Sequence, residues 1–256
     1  ENAKNAERIK EESRTEQDWG ELFISAYYEK EYEKAIVYFK EIIKINPNSD
    51  DAYNNMGLLY DDLKEYKKAI ELYEKAIEIN PINSYAYCNK GVTYSNMKEY
   101  DSAITAYTSA LNINPKDYYS IYNLGNTYRI KKEYIKAAES YKKAIEINSK
   151  KDASYINLFE NQMLANLSFP REFEFEYYKL FQNDKDKMIQ YELLKILSQI
   201  NNGEKVDINN WLNTYKEENL GNWSFDELIE WSNTKESPIK EKLLEAIKVF
   251  KTKVED

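Results

Sequence analysis

The sequence predicts an all-α chain built from repeated helical hairpins, and three observations carry that prediction. Near-identical phrases recur at a fixed interval: YNNMGLLY at Tyr53–Tyr60, YCNKGVTY at Tyr87–Tyr94 and IYNLGNTY at Ile121–Tyr128, each starting 34 residues after the one before. Around these phrases, apolar and small residues fall at i, i+3, i+4 and i+7, one face of a helix. The 256 residues include only 6 Gly and 5 Pro beside abundant Ala, Leu, Ile, Glu and Lys, a bias towards helix over sheet.

Residues 1–15 are polar and charged and read as a solvated helix or frayed tail. The first repeated unit, 16–49, carries Trp19, Leu22, Tyr32, Ala35, Phe39 and Ile42 and closes IKINP at Ile43–Pro47. Three full units follow at 50–83, 84–117 and 118–151. Counted from Asp50, Ser84 and Tyr118, position 8 is Gly57, Gly91 and Gly125, whereas the first unit has Phe23 there. Position 11 is Tyr60, Tyr94 and Tyr128; position 20 is Ala69, Ala103 and Ala137; position 24 is Tyr73, Tyr107 and Tyr141; position 27 is Ala76, Ala110 and Ala144. A glycine inside a helix costs about 1 kcal/mol relative to alanine. Its recurrence therefore predicts a close helix crossing, with tyrosines at 11 and 24 filling the space beside it. The units close IEINP, LNINP and IEINS. Asn-Pro ends the second helix because the residue before Pro disfavours helical geometry. Ser49, Asn83 and Asp117 stand where the next N-cap is expected. A fifth start lies at Asp152, with Tyr155, Leu158 and Phe159, and the pattern is lost after Leu167.

These in-phase units resemble the tetratricopeptide repeat (TPR) family over roughly Glu16 to Leu167. The resemblance implies two antiparallel helices per repeat, stacked as an α-α hairpin solenoid into a right-handed superhelix with a concave groove. Phe23 and Phe159, where the other repeats have Gly, then mark end-capping repeats.

Residues 168–256 are expected to be a non-repeat helical region. Ser168 and Pro170 open a helix through about Gln182, and a second is expected over about Asp184–Ile200 before Asn202-Gly203. A third is expected over about Asp207–Glu218. Ser224 with Glu227 forms a capping box for a short helix carrying Phe225, Leu228 and Trp231. Ser237-Pro238 opens the last, with Ile239, Leu243, Leu244, Ile247 and Phe250 at helical spacing. Trp211, Trp223 and Trp231 read as the core of a small helical domain or of degenerate hairpins, a second binding surface being the alternative.

The net charge of −9 and pI near 5.0 give no basic footprint, which argues against a nucleic-acid partner. No apolar run reaches the roughly 18–20 residues of a membrane span. A single cysteine, Cys88, allows no internal disulfide. A cytoplasmic chain is the expectation; the start at Glu1, without Met, leaves a removed signal peptide open. No histidine is present, so the commonest general base and metal ligand is missing. One thiol makes no zinc site, and no glycine-rich phosphate loop occurs. The expectation is a non-catalytic chain with no cofactor and no metal. Cys88 reads as a small, partly buried residue, and Asp61 and Asp62 as solvated charges or as a contact for a basic ligand.

Binding has more support. In the TPR family, positions 2, 5, 6, 9, 12 and 13 of each first helix tend to face the groove. Position 6 is Asn55, Asn89, Asn123 and Asn157. An asparagine both donates and accepts, so a ladder of them can pair with the backbone of an extended peptide, as in the similar superhelices of O-linked sugar transferases. The bland alternative is hydrogen bonding inside the array. Beside the ladder lie Asp51, Asn54, Leu58, Asp61 and Asp62, then Tyr85, Cys88, Val92 and Asn96, then Tyr119, Tyr122, Asn126 and Arg129. The expected groove is thus acidic at one end and aromatic further on. It suits an extended segment with a basic residue near Asp61 and Asp62 and apolar or aromatic residues near Tyr119 and Tyr122. The carboxylate clamp of chaperone-binding TPR domains needs Lys at positions 5 and 2. Here those positions hold Asn54, Cys88 and Tyr122, and Asp51, Tyr85 and Tyr119, which excludes a heat-shock co-chaperone of that kind. The expected function is a protein-interaction module holding a peptide or protein segment. A self-assembling scaffold and the regulatory arm of a larger enzyme or effector are the alternatives.

Overall fold

Thr15 starts the first helix through a reciprocal capping box. Its hydroxyl accepts the Asp18 backbone N–H at 3.3 Å, and the Asp18 carboxylate accepts the Thr15 N–H at 2.7 Å. The computed structural model describes residues 13–204, 206, 226–235, 240–241, 243–244 and 246–248. Over these, helix α1 (Glu16–Tyr28) is followed by α2 (Tyr32–Ile45), α3 (Asp50–Asp62), α4 (Tyr66–Ile79), α5 (Ser84–Asn96) and α6 (Tyr100–Ile113). Then come α7 (Tyr118–Ile130), α8 (Tyr134–Ile147), α9 (Asp152–Leu164), α10 (Arg171–Phe181), α11 (Lys185–Asn201) and α12 (Asp226–Asn233). No strand occurs among the described residues. The described residues form an all-α fold of consecutive helical hairpins.

Each first helix of a hairpin ends on the same device. Lys64 takes φ 60°, and the Lys64 and Glu65 N–H groups return to the carbonyls of Asp61 and Tyr60, both at 2.8 Å. This is a Schellman turn, which satisfies the last carbonyls of α3. Lys30, Lys98, Lys132 and Asn166 hold the same left-handed conformation. The fifth unit therefore keeps the pattern to the end of α9, before its second half departs.

Each second helix ends on asparagine. The Oδ1 atoms of Asn46, Asn80, Asn114 and Asn148 accept the backbone N–H two residues on, at 3.0, 3.3, 3.3 and 3.2 Å. These Asx turns mimic a backbone turn. The unit ending in Asn148-Ser149 turns in the same way without proline, so asparagine supplies the feature shared by all four turns. Two of the expected N-caps bond as such: Asn83 Oδ1 accepts the Ala86 N–H and Asp117 Oδ2 accepts the Ser120 N–H, both at 3.0 Å. Ser49 is the N-cap of α3 but makes no side-chain capping bond.

The chain divides into two compact units within α7, between Leu124 and Gly125. In the first, α1 pairs with α2, α3 with α4 and α5 with α6, while α2 packs on α3 and α4 on α5. A Cβ added to Gly57 would sit 2.5 Å from the Tyr73 ring, and one on Gly91 would sit 2.7 Å from the Tyr107 ring. The glycines are thus the crossing points of each hairpin. In the first repeat, buried Phe23 stands in place of that glycine, in one cluster with Trp19, Phe39, Met56 and Leu59.

In the second unit, Gly125 meets Tyr141 at 2.9 Å in the same manner. Helix α9 packs on α8, α10 and α11. Phe159 fills the glycine position of α9, its ring 5.8 Å from Tyr177 and 5.4 Å from Tyr191. The phenols at this cluster keep polar contacts: Tyr177 donates to the Lys187 carbonyl at 2.9 Å and Tyr191 to Glu174 at 2.7 Å.

Pro170 is the N-cap of α10, and Asp184 caps α11 by accepting the Lys187 N–H at 3.3 Å. Residues 1–12, the helix expected at 207–218, the Ser224 cap, the side chains of Trp211, Trp223 and Trp231, the Ser237-Pro238 start and Phe250 lie outside the described residues. Leu243 and Ile247 are buried. No described helix is long and apolar enough to cross a membrane.

Candidate binding surface

The expected groove residues come from the first helix of each hairpin, and the structure sorts them by what they already touch. Asn89 is the clearest case. Its Nδ2 donates to Asn54 Oδ1 at 2.9 Å, linking α5 to α3, and Asn54 is buried. That pair joins neighbouring repeats, the alternative of hydrogen bonding inside the array at these two positions. The acidic pair is likewise engaged. Thr93 donates to Asp61 Oδ1 at 2.6 Å, Asn96 donates to Asp61 Oδ2 at 3.2 Å, and Tyr27 donates to Asp62 Oδ2 at 2.6 Å. Position 12 of one repeat thus bonds position 13 of the next, twice. Burial first, then the Asp62 hydrogen bond and charge, hold the Tyr27 phenol well above its ordinary range.

Other residues of the set face outward. Tyr85 is 69 % and Tyr119 65 % exposed. Leu58 and Val92 are partly buried, and Tyr122 stacks on Tyr118 with centroids 5.8 Å apart. In the second unit, Asn126 Oδ1 accepts the Tyr141 hydroxyl at 2.7 Å, and Asn161 Nδ2 donates to the Asn157 carbonyl at 2.7 Å. Arg129, Asn123 and Asn157 are partly buried, and each has an interaction partner. Cys88 is buried, and that burial pushes its thiol up to about 11, so it stays protonated near neutrality.

A cleft of about 970 Å3 opens between α1 and α3. Its apolar lining is Phe23, Ile24, Ile42 and Ala52, with Gly20 among them. Its polar lining includes the carboxylates Glu16, Glu21 and Asp51, with Asn55. Among the described residues, neither Asn55 nor Asp51 makes a side-chain hydrogen bond, and Asp51 makes no ion pair. Burial, then the Asp50 and Glu16 charges, raise the Asp51 pKa above its ordinary value. Of the asparagine ladder, Asn55 borders this cleft. Gly20, Ile24, Glu16 and Glu21 were missed by the repeat pattern because the first unit departs from it. One signal was present: Gly20 is a helical glycine at position 5, not position 8. No group of three His, Cys, Asp or Glu residues that could hold a metal occurs among the described residues.

Helical hairpins closed by glycine–tyrosine crossings and linked by polar pairs between neighbouring first helices define a helical-repeat protein. Tetratricopeptide repeat family models match residues 24–49, 50–83, 84–117 and 118–151, together half of the chain. The chain belongs to the tetratricopeptide repeat family. Solved structures with this fold include a MamA protein, at 22 % identity and TM-score 0.56, covering 68 % of this chain and 93 % of that one. PilF of Pseudomonas aeruginosa aligns at 18 % identity and TM-score 0.58, covering 92 % of this chain and 88 % of its own. YrrB, a TPR protein with an unusual peptide-binding site, aligns at 17 % identity and TM-score 0.55, covering 74 % of this chain and 97 % of its own. A search of curated proteins finds no match.

Proposed function

We propose that this protein is a non-catalytic interaction module that holds an extended peptide or protein segment against the first helices of its hairpins. The observation that carries the reading is the side-chain distribution in the first unit. Tyr85 and Tyr119, and in part Leu58, leave aromatic and apolar surface available on the first helices, while Asn54, Asn89 and Asp61 fasten those helices to one another. Tyrosine gives contact area at low conformational-entropy cost, which suits recognition of an extended chain. The polar links keep the surface preorganised, so a partner does not have to order it. YrrB, with its peptide-binding site on the same fold, accords with this reading.

The test is a pull-down from source-cell lysate with wild type and with Leu58→Ala/Tyr85→Ala/Tyr119→Ala. Circular dichroism checks that both are folded. A partner held by wild type and lost by the triple variant is the expected outcome. A partner held equally by both would place binding on another surface.

A further inference from the structure

Gly20 has no packing reason to be glycine. Gly57, Gly91 and Gly125 would each drive a methyl group into a tyrosine ring, but a Cβ on Gly20 meets nothing within 4 Å. A glycine within a helix is less favourable than alanine, and no contact at Gly20 offsets that cost. What its missing side chain leaves is space: the cleft between α1 and α3, lined by apolar residues and by carboxylates.

The geometry points to a cationic side-chain pocket: we propose that this cleft receives a Lys or Arg side chain from the bound segment. The aliphatic stem lies over Phe23, Ile24 and Ile42 beside Gly20, and the charged head meets Asp51 and Glu21. This proposal rests on the segment-binding reading and sharpens it. Lysine and arginine bury their stems on apolar surface while keeping the head in a polar setting, and this cleft is lined by both kinds of residue. Glu21 accepts from Gln17 Nε2 at 3.2 Å and Glu16 accepts from Asn46 Nδ2 at 2.9 Å, so both carboxylates keep lone pairs for a further donor. Among the described residues no cation pairs with Asp51, which stands near the Asp50 and Glu16 charges, and a bound cation supplies a counter-charge. The basic residue of the ligand is thereby assigned to the α1–α3 cleft, where Gly20 leaves open space for the stem, one repeat away from the Asp61 and Asp62 position expected from sequence.

The test uses short, end-blocked peptides of Gly, Ala and Ser around a Leu-Xaa-Leu centre, with Lys, Arg, norleucine or Glu as Xaa. Binding to the full chain is followed by amide NMR shifts at low and high salt. The Lys and Arg peptides should bind roughly tenfold tighter than the norleucine peptide at low salt, an advantage that screening removes. Their shifts should centre on Gly20, Ile24 and Asp51, and Asp51→Asn and Gly20→Leu should each abolish the preference. Gly20→Leu fills open space, so circular dichroism should show it folded. Equal binding of the norleucine peptide, an unchanged preference in Gly20→Leu, or no binding by any peptide would each overturn the cationic pocket. The two readings separate in the pull-down. A partner lost by the Leu58/Tyr85/Tyr119 variant but kept by Gly20→Leu retains segment binding and removes the pocket.

Discussion

A methyl group on Gly91 would stand 2.7 Å from the buried Tyr107 ring, while the same group on Gly20 would touch nothing. One substitution therefore has opposite consequences at two helical positions. Gly91→Ala should lose about 1–3 kcal/mol, because the ring is enclosed and cannot yield freely. Gly20→Ala should gain about 0.5–1 kcal/mol, because the helix keeps its propensity gain without a clash. Urea denaturation of the two variants measures both signs. The left-handed turn residue gives a second contrast. Lys98 sits at φ 63°, where a side chain costs about 1–2 kcal/mol per residue. Lys98→Gly should therefore raise stability by about 1 kcal/mol, and the β-branched Lys98→Val should lower it. A loss on Lys98→Gly would mean that the unfolded-chain entropy of glycine outweighs the relieved strain.

Hairpins are joined to their neighbours by polar bonds as well as by packing. Asp61 in α3 accepts from Thr93 and Asn96, both in α5, at 2.6 and 3.2 Å. Hydrogen bonds to a charged, partly buried acceptor are worth more than neutral ones. A double-mutant cycle on Asp61→Ala and Thr93→Val should show a coupling of about 1–2 kcal/mol. A coupling near zero would mean that water replaces the carboxylate at no cost. These links also explain why the site was harder to read than the fold. Helices and crossings were legible because Gly, Ala and Tyr recur at fixed positions, and each type has one steric meaning there. Asn54, Asn89 and Asp61 read equally well as ligands or as links, since an asparagine or aspartate carries no mark of which partner it meets. Only the neighbouring repeat, 34 residues on, decides between those meanings. The Asn-Pro stops mark the ends of three second helices as expected, and the Asn148 turn shows that asparagine is what all four turns share.

The chain carries 24 tyrosines in a fold without histidine, and that choice sets its response to pH. Burial raises the phenols of Tyr73 and Tyr107 well above their ordinary value, and both side chains are almost fully enclosed. Tyr155 and Tyr191 in the second unit are raised in the same direction, by burial first and then by Glu176 and Glu174 respectively. A raised folded-state pKa means that the native state resists ionisation. The stability it represents is fully present below the unfolded value near 10 and is lost as pH climbs beyond it. For Tyr73 and Tyr107 the loss is about 1.4 kcal/mol each per pH unit above 10. Unfolding releases these phenols to ionise, so alkaline denaturation should be cooperative. Tyrosinate absorbance, followed with helical ellipticity along a pH titration, should rise in two phases, the second coinciding with loss of helix. Tyr107→Phe removes one buried phenol from the linkage and should shift that second phase to higher pH. Full ionisation with ellipticity intact would show instead that these phenols reach water in the folded chain, and the hairpin crossings would then be looser than the Gly57–Tyr73 and Gly91–Tyr107 contacts require.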